Sequence, residues 1–316
     1  MPQLLTFTPN PALDVATTVA QLLESHKMRG EAPQLHPGGG GVNVARVLHR
    51  LGAEVLALYP AGGAQGQRLH QLLQAEGVPD LPLPVAGETR QSFTVHERST
   101  GREYRFVLPG PELSTEEWQG ALARLRTELE RATAPALLVC SGSLPPGVPS
   151  EGHADLVRLG HEMGVRVALD TSGPALRAAL EVGVWLLKPS LRELSDWAGE
   201  ALPTRSAQRQ AAERLLARGQ AQIVALSLGS EGAMLVTPEV CLHAKALPVH
   251  VRSSVGAGDS FLAGLLWSLA RGDAPEQALG WASAAGAAAV ASSGTALCTA
   301  ADMARLQPQV ELARLV

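Results

Sequence analysis

Residues 254–260, with the sequence Ser-Val-Gly-Ala-Gly-Asp-Ser, place two glycines and an acidic residue at the start of a long apolar repeat. Gly256 and Gly258 allow the backbone to approach a ligand closely. The free N–H groups of a first helical turn, at the positive end of the helix dipole, attract an anion. Asp259 lies in that turn, where a carboxylate either caps the helix or acts as a general base. The segment is a candidate site for anion chemistry, with an ordinary glycine turn as the alternative.

A second glycine-rich turn, residues 37–46, reads Pro-Gly-Gly-Gly-Gly-Val-Asn-Val-Ala-Arg and also opens a helical pattern. Its four glycines expose backbone N–H and C=O groups to hydroxyl ligands, and Asn43 adds a side-chain donor and acceptor. The turn is not a P-loop, because no Gly-Lys-Ser/Thr follows, and the spacing of a dinucleotide fingerprint fails at Asn43. A flexible hinge is the alternative interpretation.

Polar turns follow four of the predicted strands. In open parallel sheets, ligands bind at the carboxyl ends of the strands, so we expect these turns to meet along one edge. Each turn alone is ordinary, since Gly, Ser and Pro interrupt most loops. Together they predict a polar crevice that suits phosphate. The turns are residues 141–147, 170–173, 188–190 and 227–232.

The hydrophobic pattern that must position these residues predicts an α/β fold with a mostly parallel sheet. Short β-branched or Leu-rich runs alternate with helical periods along the chain. Strands are expected at residues 4–8, 55–59, 136–140, 165–170, 184–188 and 223–228. Helices are expected at residues 42–51, 65–76, 115–132, 174–180, 207–217, 256–271 and 275–291.

Two segments interrupt this alternation and predict a small antiparallel β lid. Residues 14–34 have no helical period. Residues 91–107 alternate apolar and polar side chains on both sides of Thr100-Gly101, as a hairpin does. We therefore expect lid segments at about residues 12–35 and 90–108, within a single domain over residues 1–316.

Composition excludes several classes of function. The 316 residues are 46% hydrophobic and 18% charged, which is enough to bury a core. A net charge of −4, without a basic block, argues against nucleic-acid binding. No signal-peptide pattern opens the chain, and the apolar stretch at residues 284–291 is shorter than the ~20 residues that span a membrane. Three scattered cysteines match neither metal spacing nor a disulfide framework. We expect a cytoplasmic protein.

The motifs, in this order and separation, resemble those of the ribokinase-like sugar kinases, in the phosphofructokinase-B branch. The resemblance covers almost the whole chain: residues 10–14 (Asn-Pro-Ala-Leu-Asp), the glycine run, residues 141–145, Lys188-Pro189 and the Gly-Ala-Gly-Asp signature. It implies a three-layer α/β fold, with helices on both faces of the sheet and the small lid. The glycine run looks most like that of the minor bacterial 6-phosphofructokinases, since kinases of fructose 1-phosphate and tagatose 6-phosphate usually carry Lys where Gly40 stands.

The resemblance implies a role for each matching residue. Asp259 is expected as the general base that takes the proton of the accepting hydroxyl. The expected anion hole for the transferred phosphoryl group consists of Gly256, Ala257 and Gly258. The sugar is expected to contact Asp14, Gly39, Gly40, Asn43 and Ser141. The phosphate already on the substrate is expected to contact Lys27, Arg90 and Arg105. ATP is expected to contact Lys188, Ser190, Ser227, Gly229, Gly232 and Ser283.

Two metal ions follow from the same resemblance. Magnesium on the nucleotide is expected to be oriented through water by Glu193, although an exposed helix residue is an equally good interpretation. The family pattern Asn-x-x-Glu is Ser190-Leu-Arg-Glu193 here, which puts the magnesium affinity of this site in question. Some relatives also hold a monovalent cation such as K⁺, mostly through backbone carbonyls. The matching positions are Ser253, Val255, Ala289, Ser292, Gly294 and Ala296.

We therefore expect ATP-dependent phosphorylation of a ketohexose phosphate, with D-fructose 6-phosphate converted to fructose 1,6-bisphosphate. Fructose 1-phosphate or tagatose 6-phosphate is the alternative substrate. A non-catalytic sugar-phosphate sensor on the same fold is the alternative from another class, and Asp259 argues against it. Arg90 and Arg105 disfavour a kinase of nucleosides or unphosphorylated sugars. The exposed apolar hairpin would need a cover, so a homodimer through the lid is expected.

Overall fold

The computed structural model describes residues 3–131, 137–292, 294 and 296–315. The strands are β1 (Leu4–Phe7), β2 (Ala12–Val19), β3 (Gln34–Gly38), β4 (Val55–Ala61), β5 (Asp80–Pro84), β6 (Arg90–Glu97), β7 (Glu103–Val107), β8 (Leu137–Ser141), β9 (Arg166–Asp170), β10 (Val184–Leu187), β11 (Ala221–Ser227), β12 (Ala233–Val236), β13 (Cys241–Ala244) and β14 (Leu312–Arg314). The α-helices are α1 (Gly40–Arg50), α2 (Gly63–Ala75), α3 (Thr115–Arg131), α4 (Gly152–Glu162), α5 (Gly173–Val182), α6 (Leu191–Ala198), α7 (Arg205–Ala217), α8 (Ala257–Ala270), α9 (Pro275–Ala291) and α10 (Ala300–Leu306).

One ten-stranded sheet carries the fold, in the order β14-β13-β12-β11-β10-β9-β8-β1-β4-β5. Its strands from β5 to β11 run parallel, and β12, β13 and β14 continue the sheet antiparallel. Every predicted strand and helix is present, with ends shifted by a few residues. The predicted strand at 136–140 begins, and the predicted helix at 115–132 ends, at a residue outside the described part of the chain.

Apolar side chains alternate between the two faces of the sheet, which gives the fold its three layers. Leu4 packs in the core beneath α1, α2, α8 and α9, whereas Leu5 packs in the core beneath α3, α4, α5 and α7. The prediction of helices on both faces is therefore confirmed. The sequence pattern missed short elements such as β13, β14 and α6, which span only three to eight residues and show too few periods to be recognised.

The lid is a separate four-stranded sheet in the order β3-β2-β6-β7. Its outer pairs β2/β3 and β6/β7 are antiparallel, as expected, but the central pair β2/β6 is parallel. The physical reason lies in the main sheet. The strands β1 and β5, which point the same way, feed β2 and β6 from the same edge, so the chain enters the lid twice in one direction. No helix among the described residues is long and apolar enough to cross a membrane.

Candidate active site

The two glycine turns meet at a single hydrogen bond. Gly256 caps the N-terminus of α8 in the left-handed conformation, with φ 72°, and this turn places Asp259 in the first turn of the helix. The Asn43 side chain, in the first turn of α1, donates from Nδ2 to Oδ2 of Asp259 at 2.8 Å. These residues are 216 positions apart in the chain. The carboxylate predicted to act as the base is therefore held by a residue predicted to bind sugar.

Opposing influences set the protonation of Asp259. Burial raises the pKa of its carboxyl, while the Asn43 hydrogen bond and the charges of Lys188 and Arg105 lower that pKa, and the charge of Asp14 raises it. The net pKa lies above its ordinary value. A raised pKa makes the carboxylate a better proton acceptor, provided that it remains ionised at the working pH.

A buried ion pair lies at the ends of β9 and β10. Nζ of Lys188 is 3.2 Å from Oδ1 of Asp170. Burial, with a smaller contribution from the charges of Asp259 and Glu193, raises the pKa of Asp170 to about 6 against the opposing effect of Lys188. The same three carboxylates hold the pKa of Lys188 above its ordinary value despite its burial. The lysine is therefore positively charged, and it carries the charge that an anion in this crevice would meet.

Glu193 serves as a helix cap as well as a crevice residue. Ser190 Oγ accepts a hydrogen bond from the backbone N–H of Glu193 at 3.3 Å, and the N–H of Ser190 donates to Oε2 of Glu193 at 2.7 Å. This reciprocal capping box fixes the glutamate at the start of α6. Its carboxylate also lines the crevice. Ser190 therefore holds Glu193 through this capping box.

A crevice of about 360 Å³ collects most of the predicted substrate residues. It lies between the lid, the first turn of α1 and the first turn of α8. The predicted residues in its lining are Asp14, Gly39, Gly40, Asn43, Arg90, Arg105, Ser141, Lys188, Glu193, Val255, Gly256, Gly258 and Asp259. Its wall combines two arginines, a lysine, four carboxylates, several hydroxyl groups and the Asn43 amide. The cations suit a phosphate, and the other polar groups suit the hydroxyls of a polyol.

Arg90 links the lid to the main sheet as well as lining the crevice. Its guanidinium donates to three backbone carbonyls, those of Asn10 at 2.8 Å, Pro11 at 3.3 Å and Leu108 at 3.1 Å. These carbonyls lie where the chain enters β2 and where it leaves β7. Arg90 therefore has a structural role that the sequence did not predict, in addition to its position in the crevice.

Asp14, on β2, is an acidic residue of the crevice lining. Burial raises the pKa of its carboxyl to about 6, and the charges of Arg105, Arg46 and Arg90 oppose that rise. The pair Asp14 and His36 lie opposite each other in the β2/β3 register. Asp14 is thus a carboxyl in the crevice lining with a pKa of about 6.

A second, mainly apolar cavity of about 630 Å³ adjoins the crevice. Its lining includes the predicted nucleotide residues Ser227, Gly229, Gly232 and Ser283. Its apolar walls come from α8, α9 and the segment after β13. They include Leu247, Val249, Phe261, Ala287 and Val290. Apolar walls with a few polar groups suit the flat base of a nucleotide.

The two cavities share Gly258, in the first turn of α8. Ala257 lines the apolar cavity, and Gly256 and Asp259 line the polar crevice. The first N–H groups of a helix have no partner within the helix. The junction between a nucleotide-sized cavity and a sugar-sized crevice therefore presents free N–H donors beside a carboxylate.

The profile of the pfkB family of carbohydrate kinases matches residues 11–302. The chain belongs to this family. Among its relatives, the "ATP-dependent 6-phosphofructokinase isozyme 2" of Mycobacterium tuberculosis (strain ATCC 25618 / H37Rv) is 43% identical over 96% of this chain and 88% of the relative. The same isozyme of Escherichia coli (strain K12) is 39% identical over 97% of this chain and 98% of the relative. The "1-phosphofructokinase" of Vibrio cholerae is 35% identical over 99% and 97%.

Solved structures of pfkB relatives have the same fold. Phosphofructokinase-2 from Escherichia coli in complex with fructose-6-phosphate superposes with a TM-score of 0.91 at 37% identity, over 98% of this chain and 99% of that one. The same enzyme in complex with potassium gives a TM-score of 0.92 at 38% identity, with the same coverage. The expected family and three-layer fold are therefore confirmed.

Lys27 and Ser190 lie apart from the predicted ligand sites. Lys27 is in the exposed loop between β2 and β3 and does not line the crevice. Ser190 caps α6 and lines neither cavity. Lys188, predicted for the nucleotide, lines the polar crevice instead. The strand order explains the position of Lys188. This residue follows β10, which lies between β9, with Asp170, and β11, after which the nucleotide residues come.

The residues matched to the monovalent cation site lie around the start of α8 and the end of α9. Several of their polar groups already have protein partners. Ser253 Oγ accepts from the N–H of Val255 at 3.2 Å, and the Ala289 carbonyl accepts from the N–H of Ser292 at 3.0 Å. The Ala296 carbonyl accepts from Nη1 of Arg50 at 2.6 Å. A carbonyl has two lone pairs, so these contacts leave capacity for a cation.

Ser92 lines the crevice and was not predicted to do so. Ser143, Asp170, Thr171 and Ser172 were predicted only as parts of the polar turns, with no role for each residue. The signal for Asp170 was present, because an aspartate at the carboxyl end of a parallel strand lies at the ligand-binding edge. Only the fold shows that Asp170 pairs with Lys188, since the two residues belong to neighbouring strands.

Proposed function

We propose that the protein transfers the γ-phosphoryl group of ATP to a ketohexose phosphate, converting D-fructose 6-phosphate to fructose 1,6-bisphosphate. One observation carries this proposal. The first turn of α8, with Asp259, lies at the junction of an apolar cavity and a crevice lined by Arg90 and Arg105. A nucleotide in the first cavity and a phosphorylated sugar in the second would therefore meet at that turn.

In the proposed mechanism, Asp259 accepts the proton of the sugar hydroxyl as the hydroxyl oxygen attacks the γ-phosphorus of ATP. The bond from that phosphorus to the β–γ bridging oxygen breaks, and ADP leaves with this oxygen. The N–H groups of Gly256, Ala257 and Gly258 stabilise the negative charge that develops on the transferred group. The hydrogen bond from Asn43 aims the Asp259 carboxylate. Lys188 supplies a buried positive charge on the same side of the crevice. This arrangement supplies what phosphoryl transfer requires, which is positioning and charge neutralisation.

The carboxylates of this crevice suit a magnesium ion. No three His, Cys, Asp or Glu side chains in the described part of the chain are grouped closely enough to hold a metal alone. The ion would therefore be bound mainly by the nucleotide phosphates and water, and Asp170 and Glu193 are the crevice carboxylates that would hold its water ligands. When bound, magnesium neutralises phosphate charge. We also propose K⁺ at the carbonyls beside α8, supported by the relative whose structure is described as a complex with potassium.

The substrate phosphate is assigned to the lid side of the crevice. Arg105 belongs to β7, and its charge influences the carboxyls of both Asp14 and Asp259. Arginine binds phosphate through a planar fork. Arg90, at the start of the neighbouring strand β6, lines the same crevice, although Thr94 is the β6 residue opposite Arg105. With the phosphate held there, the hydroxyl at the other end of the sugar faces Asp259.

A second candidate function keeps the chemistry and exchanges the substrate. The 1-phosphofructokinase relative supports fructose 1-phosphate, and tagatose 6-phosphate is a further alternative. Gly40 favours fructose 6-phosphate, because the related kinases of the other two substrates usually carry Lys at this position. A sensor without catalysis has no use for a base at the junction.

The lid carries an apolar surface that supports a homodimer. Phe106, Val107 and Leu108 are 55%, 59% and 44% exposed, in and just after β7. Adjacent exposed apolar side chains of this size are typically covered by a partner. A second copy of the chain is the cover that we propose. We place the enzyme in the cytoplasm, where ATP and sugar phosphates occur.

The deciding experiment is a coupled assay of ADP release across fructose 6-phosphate, fructose 1-phosphate, tagatose 6-phosphate and unphosphorylated fructose. We expect kcat/KM to be highest for fructose 6-phosphate and very low for fructose. A preference for fructose 1-phosphate would move the protein to the second candidate. Binding of a sugar phosphate by calorimetry, without turnover of any substrate, would establish the sensor instead.

A further inference from the structure

A buried arginine lies behind the catalytic contact. Arg46 is on α1, three residues after Asn43, and it is fully buried. Its Nε and Nη2 atoms donate to both carboxylate oxygens of Glu76 at 2.7–3.1 Å. Its Nη1 atom donates to the Pro37 carbonyl at 3.0 Å and to Oδ1 of Asn43 at 3.3 Å. The guanidinium therefore touches both the glycine turn and the residue that holds Asp259.

The contact with Arg46 determines which way the Asn43 amide faces. A guanidinium has only donors, and an ionised carboxylate has only acceptors. The amide oxygen must therefore face Arg46, and the amide NH₂ must face Asp259, as is observed at 3.3 Å and 2.8 Å. Rotating the amide by half a turn would bring donor against donor and oxygen against carboxylate. Both contacts would be repulsive.

We propose that Arg46 is a positioning residue for phosphoryl transfer, which fixes the Asn43 amide so that its NH₂ always donates to the Asp259 carboxylate. The inference rests on the proposed function, in which Asp259 is the base. Arg46 is not part of the crevice lining, and it acts on Asp259 through Asn43.

The other charged groups around Asp259 do not supply this orientation. Lys188 at the end of β10, Asp170 on β9, Asp14 on β2 and Arg105 on β7 influence the carboxyl through their charges. Among the side chains that the structure describes, Asn43 is the one that donates a hydrogen bond to the Asp259 carboxylate. Loss of the amide orientation would therefore be felt directly at the proton-accepting oxygen.

Arg50 provides a matched control in the same cluster. Its Nη2 atom donates to Oε2 of Glu76 at 3.0 Å, and its Nη1 atom donates to the carbonyls of Ala296 and Cys298. Replacing Arg50 therefore breaks an ion pair with the same glutamate without removing a partner of Asn43. Because Arg50 also contacts the Ala296 carbonyl of the proposed K⁺ site, the comparison rests on the acid limb of the kcat–pH profile. A purely structural role for the cluster predicts the same acid limb for both variants.

The test compares Arg46→Met with Arg50→Met, using fructose 6-phosphate and ATP. For Arg46→Met we expect kcat to fall about ten- to a hundredfold, the loss of one charge-assisted hydrogen bond, with the Kd of ATP nearly unchanged. The acid limb of the kcat–pH profile should move to higher pH, because an amide oxygen turned toward Asp259 favours its protonated form. For Arg50→Met we expect a lower Tm and an acid limb at the wild-type pH.

Arg46→Lys keeps a positive charge beside Glu76 but lacks the fork that spans Glu76 and Asn43. We expect a smaller change of kcat and of the acid limb in the same direction. The inference would be overturned if kcat and the acid limb were unchanged in both folded variants, Arg46→Lys and Arg46→Met. If Arg46→Met does not fold, the same result in Arg46→Lys alone would overturn it. An equal shift of the acid limb in Arg50→Met would do so as well. The wild-type assay and Asp259→Asn test the proposed function separately.

Discussion

The glycine turns that open α1 and α8 face each other across the crevice, but they require glycine for different reasons. A Cβ atom at Gly40 would lie 2.2 Å from Oγ of Ser141, and one at Gly38 would lie 2.4 Å from Oδ2 of Asp14. At Gly258, the nearest atom would be Nζ of Lys188 at 3.4 Å. The α1 turn is filled by neighbouring side chains. The α8 turn is open at Gly258, although a Cβ atom at Gly256 would lie 2.3 Å from Cδ2 of Leu297. The first turn therefore shapes a binding wall, and the second presents its N–H groups to a ligand.

This difference separates binding from catalysis. Changes around the α1 turn and the lid that packs against it should act mainly on the KM for the sugar phosphate. Changes in the first turn of α8 should act mainly on kcat. The following predictions test that division, from the largest expected effect to the smallest.

Asp259→Asn should reduce kcat by about 10²–10⁴-fold, because an amide cannot accept the proton of the sugar hydroxyl. The substitution keeps the size of the side chain, so the fold should persist. The Kd of ATP should stay equal or decrease, since a negative charge near the phosphates is removed. Turnover assays and calorimetry of ATP binding measure the two effects. Retained turnover would show that Asp259 only caps α8.

Arg105→Ala should raise the KM for the sugar phosphate about ten- to a hundredfold, because it removes a charge-assisted phosphate contact. The KM for ATP should change little. Arg90→Ala should raise the same KM and also lower the Tm, since three backbone carbonyls at the ends of the lid lose their donor. Steady-state kinetics and thermal melts separate the two variants. Equal KM values for the sugar phosphate with and without Arg105 would show that the substrate phosphate does not bind on the lid side of the crevice.

Gly40→Ala should raise the KM for the sugar phosphate about tenfold, because a Cβ atom would press on Ser141. Ser141→Ala removes the clashing oxygen, so the double variant should be less impaired than the sum of the single changes predicts. Gly258→Ala is the counterpart in the open turn and should lower kcat with a smaller effect on KM. A main effect of Gly40→Ala on kcat, together with a main effect of Gly258→Ala on KM, would contradict the division between the turns.

Asp14→Asn should raise the Tm of the ligand-free protein by about 2–4 °C at pH 7.5, an effect equivalent to ~1 kcal/mol. The folded-state pKa of Asp14 is about 6, above its ordinary 3.8, so the carboxyl stabilises the fold below pH 4. That stability is lost as the pH rises through 6, because the unfolded chain releases the proton more readily. Asparagine does not titrate, so the difference in Tm should vanish near pH 4.

Thermal melts of both proteins across this pH range give the result. Sugar-phosphate binding by Asp14→Asn, followed by calorimetry, should weaken at neutral pH, since the substitution removes a carboxylate acceptor. A Tm difference that is independent of pH would show that Asp14 is not the titrating group. In that case the stability of the protein would not depend on the charge of Asp14.

The sequence alone determined the features that depend on local order. Glycine and aspartate in a helix-opening turn predicted that Asp259 lies in the first turn of a helix, and alternating strands and helices predicted an α/β fold with a mostly parallel sheet. A hairpin pattern predicted β6 and β7, because its residues pair with near neighbours in the chain. Each of these signals depends on residues within one or two elements.

The tertiary structure alone decided how distant residues meet. Asn43 reaches Asp259, and Arg46 reaches Asn43 and Glu76, because sheet order and helix packing bring α1, α2 and α8 together. The pairing of Lys188 with Asp170 depends on strand order, and the parallel β2/β6 contact depends on two entries into the lid from one edge. Such contacts carry no local signal, since their geometry arises from packing rather than from the residues next to them in the chain.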